Sequence, residues 1–212
     1  MHSVDKPQIN NYSKPSKSRS VVMTIQELFT TSNHALRKVV DQITEDQWNL
    51  AMPPGTSTEP TTLRSAVSHH AYDDAWVPDV LAGMTKEQVG NIYEQVLTDK
   101  DTKENYDYFN ERAIDAVIQF NDLGRITHLS YGDFPAKDYL QHLVSFRAFR
   151  SYDIAKLIGA DTTMADDFVQ ALLEEFSPVI EQYRQMGVFP PAVAVPDNAS
   201  PQTKLLGMVG RS

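Results

Sequence analysis

From Thr24 onward the chain alternates apolar stripes of helical period with short polar or proline-rich breaks. Thr24-x-x-Glu27 is a capping-box pattern, in which each side chain can satisfy the other's backbone N–H at a helix start. Behind it, Ile25, Leu28, Phe29, Ser32, Leu36, Val39, Val40 and Ile43 recur at i, i+3, i+4 and i+7 and predict an amphipathic helix. His34 falls off that stripe and reads as a solvated side chain. Thr44-x-x-Gln47 predicts a second cap before a short turn holding Trp48, and the proline-rich run from Met52 to Pro60 breaks the pattern. Next, Leu63, Ala66, Val67, His70, Ala71, Ala75 and Val77 leave little polar face. A largely buried helix is expected there, kinked or ended near Val77 by Pro78. Thr85-x-x-Gln88 opens a short helix running to about Leu97.

Asp101-x-x-Glu104 could cap a helix whose stripe is Tyr106, Phe109, Ala113, Ala116, Val117 and Phe120. Residues 125–133 read as a connector, the run Ile126 to Leu129 being too short to argue for a sheet. Asp133 and Pro135 mark the start of a helix from about Ala136 to Ile158, stopped by Gly159. A last long helix is expected to be capped by Asp161 or Thr163, to carry the stripe Phe168 to Tyr183, to bend at Pro178 and to end at Gly187. Four long helical patterns without persuasive strands predict an all-α bundle. The expected organisation is a flexible arm over 1–20, the bundle over 21–187, and an extended C-terminal strap with a short helix over 188–212.

Charge and composition narrow the function. A net charge of -9 disfavours long-range attraction to nucleic acid or an anionic membrane surface. No apolar run reaches the length of a membrane span. The absence of cysteine removes disulfides, zinc–cysteine sites and a cysteine nucleophile, and fits a cytoplasmic setting.

The candidate chemistry lies on two helices. His69 and Asp73 are spaced i, i+4 and share a face; His70 and Asp74 share the adjacent one. On the later helix His142, Phe146 and Arg150 line up, and Asp153 follows. Bundle-core metal sites are assembled from inward histidines and carboxylates on different helices. A His-x-x-x-Asp pair on a helix is more often a satisfied structural pair than a ligand pair. A buried arginine–carboxylate pair stitching the two helices, Arg150 with Asp73 or Asp153, is the simplest reading of the second helix.

The chain resembles the DinB-like four-helix-bundle superfamily, and within it the branch typified by mycothiol-dependent maleylpyruvate isomerase. The resemblance runs through Ile43-Thr44-Glu45-Asp46-Gln47-Trp48, Thr62 to His69, Trp76, Leu81-Ala82-Gly83, Tyr152-Asp153-Ile154-Ala155-Lys156-Leu157-Ile158-Gly159 and the tail around Ala199 to Arg211. It implies an up-and-down bundle with extra short helices, a homodimer, and a divalent metal, zinc or nickel, serving a thiol-dependent transferase or isomerase. The family's metal histidine on the second helix matches His69, but its Glu and His on the later helix fall on Phe146 and Arg150. Phenylalanine has no donor atom, and guanidinium is a permanent cation. Two alternatives follow: a displaced metal site of His69, Asp73 and His142, or a small anionic ligand held by Arg150 with His69. Arg150 and Asp153 are then the candidate catalytic side chains, and a bundle serving only as a dimeric interaction protein is the third reading.

Overall fold

The computed structural model describes residues 22–53, 61–98 and 100–212. The expected arm over 1–20 and most of the proline-rich run lie outside them. The chain is mostly helical: α1 (Ile25–Val40), α2 (Leu63–Leu81), α3 (Lys86–Val89), α4 (Thr102–Gln119), α5 (Ala136–Ile158), α6 (Asp166–Phe176), α7 (Ile180–Gln185) and α8 (Pro201–Met208). Among the described residues no helix is long and apolar enough to cross a membrane.

Local chemistry sets most boundaries. The capping box at Thr24 and Glu27 is formed, and the predicted stripe of α1 is buried. Gly159 ends α5 in the left-handed conformation, with φ of 74°, which costs glycine least. Three expectations are corrected. The helix carrying His69 runs through Pro78 to Leu81; Val80 and Leu81 are core residues, so burial holds the last turn despite the missing N–H. The last long helix starts only at Asp166, because Asp161 closes a turn by accepting the Thr163 N–H at 3.0 Å. Near Pro178 the helix does not merely bend: α6 stops at Phe176 and α7 begins at Ile180.

A fourth correction bears on function. Residues Ile126–Leu129 (β1) and Gly132–Pro135 (β2) form an antiparallel hairpin, with Ile126 opposite Pro135 and Leu129 opposite Gly132. The buried Thr127 hydroxyl donates to the Phe134 carbonyl at 2.8 Å and pins the ribbon.

The four long helices pack pairwise, α1 along α5 and α2 along α4, with α1 also against α4. The backbones of α2 and α5 approach each other much less, and the hairpin touches both. The core divides into two apolar clusters. One gathers Phe29, Val77, Leu140, Phe149, Leu172 and Leu205. The other gathers Leu36, Trp48, Leu63, Val67, Tyr106 and Ile154. The tail belongs to the first: Phe189, Leu205, Leu206 and Val209 are buried there, and Arg211 makes a two-point pair with Asp153 at 2.8 and 2.7 Å.

Candidate functional site

A polar layer separates the two apolar clusters, and each long helix supplies one member. Asn33 comes from α1, Asp74 from α2, Asn110 from α4 and Arg147 from α5; all are fully buried. Arg147 donates to the Asp74 carboxylate from Nε at 3.1 Å and from its terminal nitrogen at 2.5 Å. Asn110 donates to the other Asp74 oxygen at 3.1 Å and to Asn33 Oδ1 at 2.7 Å. A buried ion pair is tolerable only when its remaining hydrogen-bonding capacity is met in this way. The interhelical arginine–carboxylate stitch therefore exists, but Arg147 and Asp74 make it. The signal was present: Leu140, Val144, Arg147, Ser151 and Ile154 form one helical stripe, so an arginine stood in an otherwise core-facing row.

The residues singled out from sequence are distributed around this layer. His69 is exposed on α2, its Nδ1–H donating to the Ser65 carbonyl at 2.7 Å. Its neighbour His70 is the buried one, and its Nδ1 has no hydrogen-bond partner among the described residues. Burial holds His70 well below the usual imidazole range, and the charges of Arg147 and Arg150 push the same way. His142 Nδ1 lies 3.1 Å from the Tyr131 hydroxyl on the hairpin, with the Phe134 ring edge-on at 5.1 Å. Phe146 is 45% exposed. Arg150 is half-buried near Asp153 and Arg211, and Asp153 is engaged by Arg211. His69 and Arg150 thus do not turn toward one shared interior spot. Among the described residues, no three His, Cys, Asp or Glu side chains gather where they could hold a metal ion.

Asp73 is placed differently from all of these. It borders a cavity of about 240 Å³ in the seam where α2 and α5 diverge. Tyr72, Asp73 and Trp76 of α2 form one wall, residues 128–131 of the hairpin a second, and Tyr139, Leu143 and Phe146 of α5 a third. Asp73 is half-buried and, among the described residues, has no hydrogen-bond or ion-pair partner. Burial raises its carboxyl to about 6, opposed by Arg147 and reinforced by the Asp74 charge. The Tyr131 hydroxyl is pushed up to about 12 by its own burial and by the nearby Asp73 charge. The hairpin wall, and with it the cavity, was not foreseen, because a four-residue strand leaves almost no period to read.

Comparison of the chain with protein-family models, with curated proteins and with solved structures gives no match.

Proposed function

We propose that this chain is a non-catalytic, small-molecule-binding helical bundle of the DinB-like, up-and-down kind, and that its binding site is the cavity between α2, the hairpin and α5. The observation that carries this reading is the Asp73 carboxylate, set without a hydrogen-bond or ion-pair partner among the described residues in the wall of a concave, largely aromatic pocket. A pocket lined by rings with a few placed polar groups is the usual form of a ligand site.

The metal-dependent transferase or isomerase implied by the resemblance ranks second, because the donor set does not suit a divalent ion. At the family's ligand positions Phe146 offers no lone pair and Arg150 brings positive charge. His69 and Asp73, one turn apart on α2, are what remains in its favour. The anionic-ligand reading is revised on the same grounds, since neither Arg150 nor His69 lines the cavity.

A thermal-shift and ligand-observed NMR screen of small polar and aromatic compounds tests the pocket. A bound compound at a hundred times its dissociation constant should add about 2.7 kcal/mol of stability. Ser130→Trp, an exposed rim change on the hairpin turn, should abolish the response. Responses unchanged in that variant, or none in the wild type, would remove the reading. Transition metal above about half an equivalent in untagged protein, retained on dialysis, would restore the enzyme reading in its place.

A further inference from the structure

The cavity wall has a charge preference of its own. Asp74, one residue from Asp73, takes both Arg147 donors and an Asn110 donor, so the nearest buried cation is already neutralised. The other charged groups lining the cavity make no hydrogen bond or ion pair to Asp73 among the described residues. His128 is bonded to Asp133 at 2.8 Å, and Lys86 stands exposed at the rim. Tyr72, Trp76, Tyr131, Tyr139 and Phe146 bring five rings to a small space. Aromatic faces attract cations, and a partly buried carboxylate without a donor is costly until it gains one.

We propose that this cavity takes a small organic cation, a protonated or quaternary amine, with the Asp73 carboxylate as its counter-charge and the rings of Tyr72, Trp76 and Tyr131 around its head. The inference rests on the pocket reading above and goes further by fixing the charge of the occupant. An anion would meet the Asp73 carboxylate, and among the described lining residues the only permanent cation is the solvent-exposed Lys86. The cavity of about 240 Å³ is small beside the roughly 300–1,000 Å³ of ordinary ligand pockets, which suits a compact head group.

The test is calorimetric titration of the full chain at neutral pH with choline, with tetramethylammonium, and with 3,3-dimethyl-1-butanol, the neutral carbon isostere of choline. Choline should bind at least about tenfold more tightly than the alcohol. Asp73→Asn should erase that preference; because Asp73 makes no hydrogen bond or ion pair among the described residues, this near-isosteric variant should fold normally. Tyr131→Leu should weaken choline by about three- to tenfold, and Tyr131→Phe, which keeps the ring, should not. Equal binding of choline and the alcohol, or choline binding unchanged in Asp73→Asn, would overturn the inference. So would the absence of heat with either cation up to about 20 mM, a range that captures even weak binding. If the alcohol binds and Ser130→Trp blocks it, the pocket stands while the cation preference falls. If no compound of any charge binds, both fall together.

Discussion

Asp73 and Asp74 are adjacent in sequence and opposite in circumstance. Asp74 is fully buried and accepts hydrogen bonds from Arg147 and Asn110, whereas Asp73 borders a cavity and accepts none among the described residues. A step of one residue on a helix turns a side chain by about a hundred degrees. One carboxylate is thereby built into the scaffold, and its neighbour is left for something else.

Breaking the scaffold pair should be expensive. Asp74→Ala leaves Arg147 charged and dry at the centre of the layer, so about 3–5 kcal/mol of stability should disappear. Replacing both members, with Asp74→Leu and Arg147→Met, should recover most of that loss. Urea denaturation of the two singles and the double measures it; additive losses would contradict the layer's energetics.

Asp73 should reveal itself through pH. Burial raises its folded-state pKa to about 6, above the ordinary aspartate value of about 3.9. The folded form thus holds the proton more tightly than the unfolded chain does. The associated stabilisation is complete below about pH 4 and is lost as pH rises through about 6. Asp73→Asn should therefore be the more stable protein at pH 8, by about 1–2 kcal/mol after allowance for partial exposure, with the gap closing toward pH 4. Denaturation midpoints of both proteins across that range check the sign.

His70 should act in the reverse sense. Its folded-state pKa is depressed, first by burial and then by Arg147 and Arg150. Keeping it neutral contributes stability above the ordinary imidazole value, about 6.5, and that contribution falls away as pH drops below it. A His70→Gln variant should lose less stability than the wild type between pH 6.5 and pH 5, as read by circular dichroism. An identical acid profile would remove the assignment.

At the tail, Arg211→Ala should cost about 1.5–3 kcal/mol, the usual worth of hydrogen bonds to a charged group. Asp153→Asn should cost a similar amount, and the double variant little more than either, because the two side chains act as one clamp. A double-mutant cycle by chemical denaturation supplies the coupling energy. No coupling would mean that the tail is held by Leu205, Leu206 and Val209 alone.

The helices were legible because their signals are redundant. In α1, a capping box, an apolar stripe and a basic last turn agree with one another. Where single residues had to be weighed, tertiary context decided. Pro78 argued for a break, but Val80 and Leu81 beyond it are core. The hairpin was missed because its strands are four residues each and joined by Ser130 and Tyr131, which carry no strong turn signal. At the candidate site the structure distributes the singled-out side chains differently from the sequence expectation. His70, on the expected apolar stripe, is buried, whereas His69, the expected ligand, is exposed, and the buried ion pair uses Arg147 rather than Arg150. Buried residues lie on most sides of α2 and α5, so the apolar stripe there is too wide to tell which polar side chain on it turns inward.

The hairpin separates two jobs that bundles usually combine. Its turn forms one wall of a cavity that stays open on another side, and of β1 only Thr127 is fully buried, with Leu129 packed partly against the core. Grafting other ribbons between residues 126 and 135 is therefore expected to change the size of the cavity that the hairpin borders.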